Sequence, residues 1–244
     1  MAQVQNGLPR SGTVVRPRAE VDEGLRSYML SVYNYMSAGI ALTGIVAYAT
    51  YAAAASNPDI AQLLYGSPLR WVIMLAPLAF VFYLSFRVYN MSPAAAQVAF
   101  WAFAAVMGVS LSSIFMVFTG NSIAQVFFIT AAAFAGLSMY GYTTKSDLSG
   151  WGSFLIMGVI GLIIAGLVNI FMQSSALMFA INVLGVLIFA ALTAYDTQQI
   201  KDGYYQVRGD GEALAKSAIM GALSLYLDFI NMFTSLLSLF GDRE

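Results

Sequence analysis

Three ionisable side chains lie inside or at the edge of long apolar stretches of this 244-residue sequence: Arg87, Asp196 and Asp228. At the centre of a membrane such a side chain costs about 2.5–3.5 kcal/mol on the insertion scale, and less near the interface. A helix bundle retains it only where it pairs with another group, faces water or takes part in function. We therefore expect these three residues to mark the functional site.

Asp196 and Asp228 are expected to lie near the same surface of the membrane. Asp196 precedes Lys201, which places it about 7–8 Å deep along a helix. Asp228 follows Lys216 by about 18 Å of helix, a depth that tilt or a later helix start would reduce. The two apolar stretches are joined by a short loop and are therefore expected to be antiparallel neighbours. Arg87 ends an earlier stretch on the same side.

Two carboxylates in hydrogen-bonding contact at low dielectric cannot both ionise at low cost, so they are expected to share one proton. A nearby guanidinium favours the ionised form, so protonation would change the pairing between helices and create a pH-biased two-state element. Carboxylate and amide oxygens are also ligands of Ca²⁺, which makes Asp196 and Asp228 candidate calcium ligands. Thr193 and Asn231 share their helix faces and are candidate orienting or ion-coordinating groups. A purely structural contact is the alternative.

The composition excludes most other kinds of chemistry. Cysteine and histidine are absent, which excludes disulfides, zinc–thiolate sites, histidine-ligated metals and Ser-His-Asp triads. Hydrophobic residues make up 59% of the chain and charged residues 9%, against about 45–50% and about 25% in soluble domains. With a net charge of −1, nothing favours a nucleic-acid partner. We therefore expect a membrane protein without enzymatic turnover or a cofactor.

The uncharged stretches define the elements that position the candidate residues. A helix that crosses the hydrocarbon core needs about 20 residues, so each of the two longest stretches, 88–144 and 148–195, holds two crossings. Polar turns at residues 119–121 and 173–175 divide them. The sequence predicts seven spans, at about 28–54, 71–89, 97–118, 122–142, 152–172, 176–199 and 217–240.

Residues 1–26 are polar and lack the apolar core of a secretory signal peptide. They are predicted to form a flexible cytosolic tail, followed by a single transmembrane domain at residues 27–242. A cytosolic N-terminus places nine lysine and arginine residues inside and two outside. The C-terminus would lie outside if the seventh span crosses the membrane and inside if it re-enters.

Two segments carry a resemblance to a known family. They are LTAYDTQQI at residues 192–200 and ALSLYLDFINMF at residues 222–233. In these segments the chain resembles the transmembrane Bax inhibitor motif family, in its bacterial, Bax inhibitor/YccA-like branch. The order of the spans, the length and the short polar segment before the first span match over residues 20–242.

The resemblance implies an all-α fold in which a central seventh helix is wrapped by the other six. It implies that Asp196 and Asp228 form a di-aspartyl pH sensor and that Arg87, matched by position, is a latch on the second helix. Relatives of this kind are described as pH-sensitive calcium leaks, here expected in the bacterial inner membrane. Some carry an acidic residue earlier in the second helix, whereas residues 71–86 contain none. An ion path that needs that acid is therefore not expected.

The same family suggests an alternative function. Some bacterial members resemble regulators of a membrane-anchored AAA protease of the FtsH type, without transport activity. Residues 1–26 would then be the interacting segment. The expected partners are therefore the lipid bilayer with calcium ions and protons, or the bilayer with such a protease.

Overall fold

The computed structural model describes residues 18–243, with side chains described from Glu23 onward. Within this range seven helices are long and apolar enough to cross a membrane, which confirms the predicted all-α fold with seven spans. They are α1 (Arg18–Ser56), α2 (Leu69–Arg87), α3 (Pro93–Leu111), α4 (Gly120–Thr143), α5 (Gly152–Met172), α6 (Ser175–Val207) and α7 (Gly211–Phe240). Short helical turns occupy Pro58–Ala61, Gln62–Gly66, Val88–Asn90, Ser112–Met116 and Ser149–Trp151.

Polar residues in the connections fix where several helices begin. Ser92, Thr119, Ser174 and Asp210 each accept a hydrogen bond from a backbone N–H in the first turn of the following helix. Gln173 adopts a left-handed conformation with φ 49° and ends α5. These connections include the two polar turns that the sequence predicted.

The helices extend beyond the predicted spans. α1 begins at Arg18, so residues 18–26 of the segment expected to be a tail are helical. α6 continues to Val207 and α7 begins at Gly211. Hydropathy locates the part of a helix inside the bilayer, whereas the helix itself continues into the aqueous layer. The prediction of a flexible tail otherwise concerns residues 1–17, which lie outside the described residues.

Helix α7 occupies the centre of the bundle, as the resemblance implied. In α7, 56% of the residues of the apolar window are buried, against 11–28% in the other spans. Helices α1, α3, α4 and α6 make the main contacts with it, whereas α2 packs on α3 and α5 packs on α6. Tyr226 and Leu225 of α7 are completely buried.

The contacts at the two ends of α7 show that this helix crosses the whole bundle. Near its start, Lys216 Nζ donates a hydrogen bond to the carbonyl of Tyr89, at a distance of 3.1 Å. Beyond its end, Thr119 N donates to the carbonyl of Asp242 at 3.0 Å. Because Tyr89 precedes α3 and Thr119 follows it, the two ends of α7 lie at opposite surfaces. We name the surface where α1 and α7 begin the N side and the opposite one the C side.

Candidate functional site

Asp228 lies on the central helix and is 4% exposed. Its Oδ2 atom is buried and has no hydrogen-bond partner among the described residues. Buried polar atoms are nearly always paired, because an unpaired one loses its bonds to water without compensation. The oxygen is therefore available to a proton or a cation.

Asp196 of α6 is the ionisable neighbour of Asp228. The two carboxylates are close enough to interact electrostatically. Helices α6 and α7 pack closely here, because Gly221 leaves room for the side chain of Ile200. The structure thus brings together the two aspartates that the sequence singled out.

Asp196 lines a cavity of about 730 Å³ on the N side of the bundle. The cavity lies between α1, α6 and α7, and Asp210, Glu212 and Lys216 surround its outer part. Asp228 is not among its lining residues, so it lies behind Asp196 as seen from the N side. Water and protons that enter the cavity therefore meet Asp196 first.

Two residues that follow Asp196 attach α6 to α4 and to the turn after it. The hydroxyl of Thr197 donates to the Thr193 carbonyl at 2.7 Å and lies 2.9 Å from the hydroxyl of Ser138 on α4. Gln198 is buried; its Nε2 donates to the Ser146 carbonyl and its Oε1 accepts from Leu148 N, both at 2.8 Å and both in the turn between α4 and α5. Sequence reasoning singled out neither residue, because their partners are distant in the chain.

The motif also holds the turn between α4 and α5 through longer side chains. Gln199 Nε2 donates to the hydroxyl of Ser149 at 3.2 Å, and Lys201 Nζ donates to the Tyr142 carbonyl at 3.0 Å. Asp147 Oδ1 in this turn accepts from Ser149 N at 2.8 Å. Hydrogen bonds from the backbone N–H and the hydroxyl of Ser149 lower the pKa of Asp147 below its ordinary value, so this acid stays ionised at neutral pH.

The two predicted orienting residues make hydrogen bonds within their own helices. The Thr193 hydroxyl donates to the Phe189 carbonyl at 2.8 Å. Asn231 Nδ2 donates to the Leu227 carbonyl, also at 2.8 Å. Their role in orienting the aspartates or coordinating an ion stays a prediction.

Arg87, the predicted latch, is exposed at the end of α2. It forms no ion pair with any side chain in the described part of the chain. Instead Lys216 pairs with Glu212 at 2.8 Å and bonds the carbonyl of Tyr89, two residues beyond Arg87. This lysine is a cation at the cavity that sequence reasoning did not single out. The pairing of Arg87 with an aspartate stays a prediction.

Aromatic side chains close the bundle on the C side of Asp228. The ring centroid of Phe127 lies 5.5 Å from that of Phe229 and 6.1 Å from that of Phe233. A cavity of about 100 Å³ beside these rings is lined almost wholly by apolar side chains. Packed aromatic rings therefore lie between the aspartate pair and the C side.

The aspartate pair offers few metal ligands. Ca²⁺ takes six to eight oxygen atoms, and no cluster of three or more acidic side chains converges within residues 23–243. Asp196 and Asp228 would therefore contact a passing ion together with water. Their assignment as calcium ligands stays a prediction.

This fold and this site define a seven-helix membrane protein with two interacting carboxylates at its core. The chain belongs to the Bax1-I family, described as Inhibitor of apoptosis-promoting Bax1, whose model matches residues 25–244. The resemblance seen in the two aspartate motifs is thereby confirmed.

Bacterial relatives match all or nearly all of the chain. An uncharacterized protein of Caulobacter vibrioides is 47% identical, and the match covers 100% of both chains. Uncharacterized protein RP147 of Rickettsia prowazekii is 45% identical over 91% of this chain and 92% of its own. Inner membrane protein YbhL of Escherichia coli is 44% identical over 97% of this chain and 99% of its own.

Proposed function

We propose that this protein is a pH-sensitive calcium leak channel, gated by Asp196 and Asp228. The observation that carries the proposal is the buried, unpartnered Oδ2 of Asp228 beside a second carboxylate that lines a cavity on the N side. An intramembrane acid is by default part of an ion or proton path.

In the proposed gate, the shared proton holds α6 and α7 together. When the proton is lost, two negative charges face each other at low dielectric and repel strongly. The repulsion is relieved by separation of the helices, by a cation between the carboxylates, or by pairing with Arg87. The aromatic contacts around Phe229 must open in the same transition.

We place the protein in the bacterial cytoplasmic membrane with its N side toward the cytosol. The excess of lysine and arginine on that side supports this orientation. Membership of a family that includes an Escherichia coli inner membrane protein supports the location. The cavity at Asp196 would then sample cytosolic pH.

Calcium flux into proteoliposomes between pH 5 and 8 tests the gate. Asparagine carries no ionisable proton and resembles a protonated aspartate, so we expect Asp196→Asn and Asp228→Asn to abolish the pH dependence. Asp228→Asn should keep, at every pH, the flux that the wild type shows at pH 5. Asp202→Asn, an exposed acid of α6 outside the cavity, is the matched control and should follow the wild type.

Two outcomes would contradict the proposal. A pH profile of Asp228→Asn equal to that of the wild type would refute the carboxylate gate. Absence of flux above empty liposomes, from folded protein, would make the aspartates structural. The function as regulator of an FtsH-type AAA protease, through the N-terminal segment, would then become the favoured explanation.

A further inference from the structure

A lateral groove separates α1 from α4 on the outer surface of the bundle. These two helices make little contact with each other, and the space between them measures about 800 Å³. Its rim includes Leu30 and Met139, which are 51% and 66% exposed. Its floor reaches Phe229 of the central helix. In a bilayer this groove faces the lipid.

The groove has the length of one leaflet. Its lining extends from Arg26 to Ile40 on α1 and from Tyr142 to Phe127 on α4. At 1.5 Å per residue each wall is about 21–23 Å long. Half of a bilayer is about 20–22 Å when the headgroup layer is included, of which about 15 Å is hydrocarbon. The groove therefore begins at the headgroup level on the N side and ends near the middle of the membrane.

Charge is confined to one end of the groove. Arg26 lines its N-side end. Lys201 Nζ donates to the carbonyl of Tyr142 and lies 5.9 Å from the centre of that ring. The hydroxyls of Tyr33 and Ser138 bond each other at 2.6 Å and so are satisfied within the protein. Toward the membrane centre the walls are mainly apolar, formed by residues such as Met36, Ile40, Phe127 and Ala131, with the small polar side chain of Ser37 among them.

We propose that this groove binds an anionic phospholipid of the N-side leaflet. Its phosphate would lie at Arg26, because a guanidinium offers paired N–H donors to phosphate oxygens. One acyl chain would lie between α1 and α4 and cover their apolar walls. The cations at one end match the negatively charged headgroup of such a lipid. The apolar walls behind them match its acyl chain.

The groove also touches the supports of both aspartates. Phe229 follows Asp228 in the chain, and Ser138 bonds Thr197, which follows Asp196. An acyl chain in the groove would thus press on residues next to the pair. That regulatory consequence rests on the proposed calcium leak, whereas lipid binding itself does not.

Native mass spectrometry of the full chain in mild detergent tests the binding. We expect the wild type to retain added phosphatidylglycerol in preference to phosphatidylethanolamine. Arg26→Gln should lose this preference. Arg70→Gln is the matched control, because Arg70 lies on the C side beside Trp71, away from the groove, and should keep the preference. Equal retention of both lipids by the wild type would overturn the proposal.

A second pair of variants tests the position of the acyl chain. Ala135→Trp places a large ring in the groove and should abolish retention of phosphatidylglycerol. Ala133→Trp, on an exposed part of the same helix outside the groove, should not. Unchanged retention of phosphatidylglycerol by both tryptophan variants would refute the proposed lipid site. If Ala135→Trp does not fold, the result for Arg26→Gln decides whether the lipid binds in this groove. None of these readouts depends on calcium flux. A failure of the calcium-leak proposal would therefore be distinguishable from a failure of the lipid-binding proposal.

Discussion

Asp228 differs from the other buried polar side chains of the core in how its hydrogen bonds are satisfied. Thr43 donates to the Ala104 carbonyl, and Thr130 donates to the Val126 carbonyl. Asp228 Oδ2 has no such partner in the described part of the chain. Because lipid supplies no hydrogen bonds, every buried polar atom depends on protein, water or an ion for its partner. The proposed gate is therefore expected to respond to the water, protons or cations that enter the cavity at Asp196.

Arg87 forms no ion pair in the described part of the chain, so its role as a latch must be tested by experiment. If it pairs with an aspartate in one state of the gate, Arg87→Ala should weaken the closed state and raise basal calcium flux in proteoliposomes. Arg208→Ala is a suitable control, because Arg208 lies on the same side over the Tyr205 ring and outside the cavity. Basal flux equal to that of the wild type would count against the latch.

Gln198 is predicted to be the main structural residue of the Asp196 motif. Gln198→Leu would leave the Ser146 carbonyl and the Leu148 N–H without their partner. Each of these hydrogen bonds contributes about 0.5–1.5 kcal/mol net, so we expect the free energy of unfolding to fall by about 1–3 kcal/mol. Thermal unfolding followed by helical circular dichroism would measure the change.

The neighbouring glutamine supplies the comparison for that measurement. Gln199 makes one exposed contact, 3.2 Å from Ser149, and water can replace it. Gln199→Leu should therefore change the unfolding temperature little. If the two variants were equally stable, the turn between α4 and α5 would not depend on Gln198.

At the scale of elements, the contact between α4 and α6 depends on one glycine. A side chain at Gly141 would collide with the backbone of Ala194, two residues before Asp196. We expect Gly141→Ala to separate these helices, lower the unfolding temperature and disturb the pH dependence of flux. Gly136 lies on the same helix with open space around it, and Gly136→Ala should be neutral or slightly stabilising, because alanine favours helix. A Gly141→Ala variant as stable as Gly136→Ala would contradict this packing.

The sequence predicted the elements better than their ends. Uncharged stretches report the seven membrane crossings directly, because charge is costly in lipid. They do not report where a helix continues into water, which is why α1 begins at Arg18 and α6 extends to Val207. Asp196 and Asp228 were identifiable because acids are rare inside spans. The contacts of Gln198 and Lys216 were not, because each depends on residues distant in the chain that only the fold brings near.

At the scale of the whole molecule, the cavity that reaches Asp196 opens on one side of the bundle. The N side has the cavity with Asp196, Lys216 and Glu212, whereas the C side of the pair is closed by packed aromatic rings. Beyond the rings, Arg243 lies 5.8 Å from the ring centre of Phe118. In the proposed gate the sensor lies on one side only, so the orientation of the protein in the membrane would decide which compartment controls it.

Single-cysteine labelling would establish that orientation, and the chain has no native cysteine to interfere. Ser56 and Asp242 are exposed on the C side, and Ser146 is exposed on the N side. With the N side in the cytosol, a membrane-impermeant maleimide should label Ser56→Cys and Asp242→Cys in intact cells, and Ser146→Cys only after permeabilisation. The opposite pattern would mean that the cavity samples external pH. Labelling of Asp242→Cys together with Ser146→Cys would contradict the complete crossing of α7.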